Sequence, residues 1–278
     1  MRGRVLIIAG SDSGGGAGIQ ADIKTVTALG GYAMTAITAL TAQNTLGVHA
    51  IHEVPEDFIV RQVEVVLEDL GADAIKIGML HRAGVIHAVA DVLERSGTTA
   101  PLVLDPVMVA KGGHALLEAD AVQALKDRLI PRAALITPNV PEAEALTGLK
   151  IDTVADFGPS GDKLVRMGAH AALIKGGHMP PVTNACPDGG GMVTDVLWRD
   201  DAPAQVFESH RVDSRHTHGT GCTLASAIAC CLAQQMDLVT SIRRARSYVH
   251  QAILTAPGFG QGHGPLNHGH TVVPFEVD

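Results

Sequence analysis

Short apolar runs alternate along the chain with segments whose apolar residues recur every three or four positions. The first run, residues 5–9, ends in glycines, and Ile19, Ile23, Val26 and Leu29 follow at helical spacing. An apolar run bounded by turn residues is typical of a buried strand, whereas the recurring spacing is typical of an amphipathic helix. The beginning of the chain therefore predicts a strand, a glycine-rich loop and a helix.

Five further apolar runs predict strands of the same kind, nearly all of them ending in Gly, Asp, Pro or Thr. They are residues 33–40, 74–77, 102–104, 134–136 and 171–174. Helical spacing between these runs predicts helices around residues 59–70, 85–93, 122–129 and 164–167. Such alternation favours βαβ crossovers, and hence an α/β fold with a mostly parallel sheet that helices cover on both faces.

The last part of the chain follows a different pattern. Residues 192–198 and 205–211 predict an antiparallel pair of strands, which two helices over about 219–235 and 238–256 follow. No stretch rich in Pro, Ser or charge divides the sequence. We therefore expect a single domain over residues 1–278.

Composition and charge narrow the class of protein. Apolar residues make up 46% of the chain and charged residues 18%, which excludes disorder. The formal net charge is −8 and no run of five like charges occurs, so we expect neither a nucleic-acid-binding nor a polybasic membrane surface. No apolar stretch resembles an export signal or a membrane span, which predicts a soluble cytoplasmic protein. The cysteines, Cys186, Cys222, Cys230 and Cys231, have no CxxC spacing and do not indicate a disulfide framework or a zinc site.

Polar and glycine-rich segments follow nearly every predicted strand. Ligands of open parallel sheets bind at the carboxyl ends of the strands, so these segments should line one binding edge. The loop 13–18 is glycine-rich but has neither the Walker A pattern nor a clean GxGxxG, so we interpret it as a substrate-side loop. The other segments are residues 10–12, 42–45, 78–80, 105–108, 137–142 and 175–178.

The sharpest signal is the segment 217–223, Thr-His-Gly-Thr-Gly-Cys-Thr, which runs directly into a small, apolar helical stretch. Gly219 and Gly221 let main-chain N–H groups converge at a helix N-terminus, whose partial positive charge favours an anion. This predicts an anion hole for a transferring phosphoryl group; a glycine-rich cap without a ligand is the alternative. The first helical turn should lower the pKa of the Cys222 thiol and suit it as general base or nucleophile, unless it is a small core residue.

A second set of polar residues follows neighbouring strands. Asp105 and Glu142 carry the hard oxygen ligands that suit Mg²⁺ beside nucleotide phosphates. Asn139, three residues before Glu142, belongs to the same set, but this spacing also fits a helix capping box. Lys175 ends a predicted strand, where it can approach phosphates as a point charge or remain a solvated lysine.

Seven segments, taken in order, resemble the ribokinase-like superfamily and, within it, the hydroxymethylpyrimidine/phosphomethylpyrimidine kinases of thiamine biosynthesis. They are residues 9–22, 41–45, 76–80, 105–108, 137–139, 175–178 and 218–222. The resemblance implies a kinase that uses ATP and Mg²⁺ to phosphorylate 4-amino-5-hydroxymethyl-2-methylpyrimidine, and then its monophosphate. It also implies a homodimer.

The resemblance assigns residues to two sides of the site. On the substrate side, Gln43 hydrogen-bonds the aminopyrimidine edge, and the same pocket includes Gly10, Asp22, Met79 and Val107. On the nucleotide side, main-chain N–H groups of Gly219, Gly221 and Cys222 hold the γ-phosphate, and the further nucleotide contacts are Thr217, His218, Thr220 and Asn139. Most of the superfamily has Asp as general base at the position of Cys222, whereas the pyrimidine kinases resemble this chain in having Cys.

Two other functions stay open. A pyridoxal kinase of the same superfamily would share the anion hole and differ only in its substrate pocket. A sensor that binds the pyrimidine without phosphorylating it would keep the pocket, but the segment 219–222, Asp105 and Lys175 argue against this hypothesis.

Overall fold

The strands join into one sheet. The computed structural model describes residues 1–109, 116–118, 120–179 and 191–273. Within these residues the strands are β1 (Arg4–Asp12), β2 (Tyr32–Asn44), β3 (Gly47–Glu53), β4 (Ala74–Ile77), β5 (Leu102–Leu104), β6 (Leu135–Ile136), β7 (Ala172–Ile174), β8 (Met192–Arg199) and β9 (Ala202–His210). Their order across the sheet is β3-β2-β1-β4-β5-β6-β7-β8-β9.

The middle of the sheet is parallel and its edges are antiparallel. Parallel pairing runs from β2 through β1, β4, β5 and β6 to β7. β3 pairs antiparallel with β2, and β8 and β9 continue antiparallel beyond β7. This topology confirms the predicted mostly parallel sheet with a late antiparallel pair, and it brings the carboxyl ends of the central strands to one edge.

The helices lie between the strands in the predicted alternation. They are α1 (Gly18–Ala28), α2 (Glu56–Asp69), α3 (Ala83–Arg95), α4 (Ala121–Ala124), α5 (Val140–Thr147), α6 (Phe157–Arg166), α7 (Thr220–Ala233) and α8 (Leu238–Leu254). After α4 the chain continues as a π-helical turn, Leu125–Leu129, and a 3₁₀ turn, Ile130–Arg132. Pro131, which has no N–H group to donate, lies near the start of this 3₁₀ turn, where that group would have no partner within the turn.

The pattern of β1 shows why helices must cover both faces of the sheet. Leu6 and Ile8 pack in one apolar cluster with residues of α2 and α3, whereas Val5, Ile7 and Ala9 pack in a second cluster with α1, α7 and α8. All five side chains are at most 1% exposed. A strand buried on both faces reads as a continuous apolar run, and each buried Leu or Ile stabilises the fold by about 1.5–3 kcal/mol.

The predictions differ from the structure in the region after β1. β2 extends to Asn44, so Gln43 and Asn44 lie in a strand rather than in a loop. β3 then returns beside β2, although the sequence predicts no strand there. The reason is that β3 is an edge strand with mostly exposed residues, such as His49 and His52, and therefore lacks an apolar alternation.

The single domain over residues 1–278 stays a prediction. In the part of the chain that the structure describes, no helix has both the length and the apolar character needed to cross a membrane. Cys222, Cys230 and Cys231 are free thiols, while Cys186 lies outside the described residues.

Candidate active site

The amino end of α7 is docked against the glycine-rich loop that follows β1. Gly219, the N-cap of α7, has a φ of +84°, a left-handed conformation that glycine adopts readily. A Cβ atom on Gly219 would overlap the carbonyl oxygen of Gly16, and a Cβ atom on Gly16 would overlap the ring of His218. Glycine is therefore required on both sides of this contact.

The first turn of α7 has the form of the predicted anion hole. The turn begins with the N–H group of Thr220 near the Thr217 carbonyl, at 3.4 Å, and the N–H group of Thr223 donates to the Gly219 carbonyl at 2.9 Å. N–H groups in the first turn of a helix have no partner within the helix and point out of its positive end. Gly221 lies in this turn, together with Cys222.

Lys175 and Asp105 lie beside Gly221. Lys175 Nζ is 3.0 Å from Asp105 Oδ1, and Thr137 Oγ1 donates to the same oxygen at 3.2 Å. A Cβ atom on Gly221 would lie 3.3 Å from Lys175 Nζ and 3.6 Å from Asp105 Oδ2. Glycine thus keeps open a space between the helix end and the ammonium group, and this space suits an anion.

Lys175 keeps its charge in this position. Its side chain is only 13% exposed, and burial opposes the charge, but the Asp105 carboxylate, followed by Glu142, outweighs that effect and raises the pKa of Lys175. A short parallel bridge pairs Lys175 with Asn139 and fixes its main chain. The position therefore supplies a fixed positive charge, rather than a solvated lysine.

Asn139 and Glu142 form the capping box that their spacing allows. Asn139 Oδ1 accepts from the N–H group of Glu142 at 3.0 Å, and Glu142 Oε2 accepts from the N–H group of Asn139 at 2.8 Å. The Asn139 oxygen is thus committed to the cap of α5, and only its NH₂ group could face a nucleotide. The capping interpretation is confirmed, while a nucleotide contact stays a prediction.

The carboxylates of Asp105 and Glu142 fit a divalent cation in their chemistry. Burial, opposed by Lys175 and reinforced by the Asp105 charge, raises the pKa of Glu142 to about 7. Two carboxylates that repel each other in this way offer hard oxygen donors, and Mg²⁺ binds by one or two such groups together with waters and phosphates. Asp105 Oδ2 lies on the side of Gly221, and Asp105 and Glu142 are the residues that would hold the cation.

The pKa of the Cys222 thiol differs in direction from the prediction. The residue is half-buried, and burial raises the pKa of its thiol to about 12, even though the Lys76 ammonium acts in the opposite direction. The expectation of a lowered pKa is therefore wrong, because desolvation of the thiolate exceeds the stabilisation that the helix end and Lys76 provide. The resting site holds a protonated thiol.

The side chain of His218, just before α7, contacts the residue that organises the loop after β1. Its Nε2 atom is 2.8 Å from Asp12 Oδ2, and its main-chain N–H group donates to the Gly264 carbonyl at 3.2 Å. These contacts are made within the protein, and the predicted nucleotide contact of His218 stays a prediction. Asp12 also accepts from the N–H groups of Gly14, Gly16 and Ala17, and so holds the whole loop.

Gln43 lies next to this histidine, at the predicted substrate position. Its Nε2 atom is 3.3 Å from His218 Nε2, and its Oε1 atom accepts from Thr41 Oγ1 at 3.1 Å. Ser13 Oγ donates to the Gln43 carbonyl and accepts from its N–H group, both at 2.9 Å. The main chain of Gln43 is thus fixed, and its amide side chain stays at the edge of the site.

The apolar residues that were predicted for the substrate pocket lie close together. Met79 and Val107 pack in one small cluster with Ala39 and Leu116. A Cβ atom on Gly10 would lie 2.5 Å from the methyl group of Met79, so Gly10 provides the room for this side chain. The structure thus brings Gly10, Met79 and Val107 together.

Asp22 does not line the pocket. Its side chain is 0% exposed, and both oxygens are bound: Oδ2 lies 2.9 Å from Lys76 Nζ, and Oδ1 accepts from Ser226 Oγ at 2.7 Å. The prediction of a substrate contact is wrong because Asp22 points beneath α7, toward a buried lysine.

Asp12 and Lys76 are the residues that sequence reasoning missed. Both occur in segments that carry the family resemblance, yet neither was assigned a role from the sequence. The signal for Lys76 is a lone charge in the otherwise apolar run 74–77. The signal for Asp12 is its place between the first strand and the glycines.

The C-terminal segment supports the first turn of α7. Thr223 Oγ1 lies 3.0 Å from His268 Nε2, and Tyr248 Oη donates to the His268 carbonyl at 2.6 Å. Pro265 forms a short parallel bridge with His218. These contacts hold the helix end against residues that follow it by more than forty positions along the chain.

A mostly parallel sheet, a glycine-rich helix end and a lysine–carboxylate pair beside it are features of a kinase of the ribokinase-like fold. The model of the family described as phosphomethylpyrimidine kinase matches residues 12–267. The chain belongs to this family, which confirms the family, the fold and the kinase activity predicted from the sequence.

Relatives and a solved structure agree with this membership. The chain is 45% identical to the hydroxymethylpyrimidine/phosphomethylpyrimidine kinase of Bacillus subtilis, covering 95% of this chain and 94% of the relative. It is 49% identical to a thiamine biosynthesis bifunctional protein of Geobacter sulfurreducens, covering 96% of this chain but only 52% of that protein. The pyridoxal kinase from Staphylococcus aureus in complex with AMP-PCP superposes with a TM-score of 0.86 at 32% identity, covering 97% of this chain and 94% of that one.

Acidification should destabilise the protein through His268. Burial, followed by the charges of Lys24 and His270, lowers the pKa of His268 from 6.5 to about 4. Between these two pH values the unfolded chain binds a proton that the folded protein excludes. The contribution of neutral His268 to the free energy of unfolding is therefore present above pH 6.5 and is lost as the pH falls toward 4. In urea unfolding, His268→Gln should lose about 2 kcal/mol less unfolding free energy than the parent between pH 7 and pH 5.

The control for this measurement is His49→Gln, which changes an exposed histidine on β3. It should follow the parent protein at both pH values. Equal losses of unfolding free energy for His268→Gln and the parent protein would contradict the lowered pKa of His268.

Proposed function

We propose that the protein transfers the γ-phosphate of ATP to the hydroxymethyl group of 4-amino-5-hydroxymethyl-2-methylpyrimidine, and then phosphorylates the monophosphate to the diphosphate. The observation that carries this proposal is the open space that Gly221 keeps between the end of α7 and the Lys175–Asp105 pair. Gln43 and Met79 lie at the neighbouring strand ends, where a small ring with a hydrogen-bonding edge fits. The names of the relatives support the same substrate.

Phosphoryl transfer needs positioning and compensation of charge more than it needs covalent chemistry. The N–H groups of the α7 turn and Lys175 would hold the oxygens of the transferring group. Asp105 and Glu142 would hold Mg²⁺, which would supply compensation for the charge of the phosphates. The AMP-PCP complex of the S. aureus neighbour supports ATP as the donor.

Cys222 lies where the attacking hydroxyl would approach the anion hole. We assign it the role of general base, which accepts the proton of that hydroxyl. Since the resting thiol is protonated, the reactive species is the minor thiolate. Below a pKa of about 12 the thiolate fraction rises about tenfold per pH unit, so turnover should increase with pH across the neutral range.

The first test is a product assay. The purified protein is incubated with MgATP and the aminopyrimidine, with pyridoxal in a parallel reaction, and the products are followed by mass spectrometry. Stepwise monophosphate and diphosphate are expected. Product from pyridoxal alone would transfer the assignment to vitamin B6 salvage, and binding without product from either compound would indicate a sensor.

Replacing Cys222 should separate turnover from nucleotide binding. Cys222→Ala is expected to reduce turnover by about 10² to 10⁴ while leaving ATP affinity nearly unchanged, since the main-chain N–H groups remain. Cys231→Ala, farther along α7, is the control and should keep its turnover. Unchanged turnover in Cys222→Ala would remove the base assignment and leave only the anion-hole role.

We also propose a cytoplasmic homodimer. The face of the β2–β3 hairpin that points away from the core is exposed and carries three apolar residues and one histidine, with Leu40 opposite His52 and Ala42 opposite Ala50. Leu40 is 44% exposed, and a second copy of this hairpin would cover the face.

Sedimentation equilibrium tests the dimer. Leu40→Glu should sediment as a monomer because it places a charge in the interface. Val206→Glu, at the opposite edge of the sheet on β9, changes a residue that is 56% exposed, more than Leu40, and should remain dimeric. A parent protein that is monomeric at micromolar concentration would refute the proposal.

A further inference from the structure

A buried ion pair lies beneath α7, away from any surface that substrate or nucleotide can reach. Lys76 comes from β4 and Asp22 from α1, and both side chains are 0% exposed with a 2.9 Å contact between Nζ and Oδ2. Nothing in the proposed reaction requires these charges to contact a ligand. Apolar residues of similar size often stabilise a core as well as a buried ion pair does, so packing alone does not explain the pair.

The pair is joined to the active-site helix. Ser226, one turn after Cys222 on α7, donates to Asp22 Oδ1 at 2.7 Å. Gly78 leaves room for the ammonium group, because a Cβ atom there would lie 2.8 Å from Lys76 Nζ. The main chain, the pair and the helix thus hold the Lys76 charge at a fixed place under the first turn of α7.

Ser226 is four residues after Cys222 on α7, so the Asp22 carboxylate that it contacts, and Lys76 beside that carboxylate, lie below the thiol. Charged groups from four parts of the chain act on this thiol. Lys76 on β4 and Lys175 after β7 are positive, whereas Asp22 on α1 and Asp105 after β5 are negative. The N–H group of Gly18 also contributes a hydrogen bond. Burial has the largest effect and raises the pKa of the thiol; Lys76 has the largest opposing effect, and Asp22 reinforces burial.

We propose that the buried Lys76–Asp22 pair sets the charge state of Cys222, with Lys76 favouring the thiolate and Asp22 opposing it. Lys76 is thus a positioning residue that acts on the reaction through Cys222 rather than by contact with the substrate. The Asp22 carboxylate fixes the ammonium group in place and, by its own charge, limits how much thiolate forms. The inference uses the proposed function only in taking Cys222 as part of the site.

Alkylation of Cys222 by iodoacetamide, with neither ATP nor pyrimidine present, reports the thiolate directly. The thiolate sulfur attacks the reagent, a sulfur–carbon bond forms and iodide leaves. Rates are measured between pH 6 and pH 10 and resolved by peptide mass spectrometry for the parent, Lys76→Met and Asp22→Asn. A pKa shift of one unit changes the rate about threefold, since a more acidic thiolate is more abundant but less nucleophilic.

The two variants are expected to move the rate in opposite directions. Lys76→Met should slow alkylation of Cys222 at each pH by about threefold, and Asp22→Asn should accelerate it by a similar factor. Lys76→Arg should restore most of the parent profile. Both changes break the same buried pair, so mere loosening of the structure would accelerate both; a change in the same direction, or none in either, overturns the proposal.

Cys230 and Cys231 provide an internal control for unfolding. They are 0% exposed on the same helix, so their alkylation reports opening of α7 and should stay slow in every variant. If Lys76→Met does not fold, Asp22→Asn and Ser226→Ala decide the matter: acceleration at Cys222 by Asp22→Asn, larger than any by Ser226→Ala, supports the proposal, and its absence refutes it. Because this readout needs no turnover, its failure is distinguishable from failure of the kinase assay.

Discussion

The contact between Gly219 and the Gly16 carbonyl is the constraint on which the rest of the site depends. It brings the amino end of α7 against the loop after β1, and neither position tolerates a Cβ atom. The same contact orients His218 toward Asp12, a residue 206 positions away in the sequence. Anion hole, substrate edge and glycine loop are therefore parts of one interlocked unit, in which a change on one side displaces the other.

Two lysines around this unit each have a carboxylate partner. Lys175 neutralises Asp105 at the surface of the site, and Lys76 neutralises Asp22 beneath it. A site that receives several phosphate charges must compensate them without leaving lone charges buried when it is empty. Paired groups meet both requirements, because each lysine has a carboxylate partner before a ligand arrives and remains positive when one binds.

Sequence reasoning reached the sheet, most helices and the glycine-rich helix end, because apolar spacing and turn residues are local signals. It missed β3, whose exposed edge position removes the apolar alternation. It also misassigned Asp22 and did not foresee the contact of His218 with Asp12, since the partners Lys76 and Asp12 come from distant parts of the chain. The direction of the Cys222 pKa shift was wrong for a related reason: the helix end is visible in the sequence, but the degree of burial is not.

The support of α7 by His268 and Pro265 has a consequence for biosynthesis. Residues from 12 to 268 must all be present before the helix end is held in place. Domains that depend on contacts of such long sequence separation fold more slowly than domains built from local contacts. A chain that is still being synthesised therefore lacks the contacts that hold the amino end of α7 until residues 265 and 268 have been added.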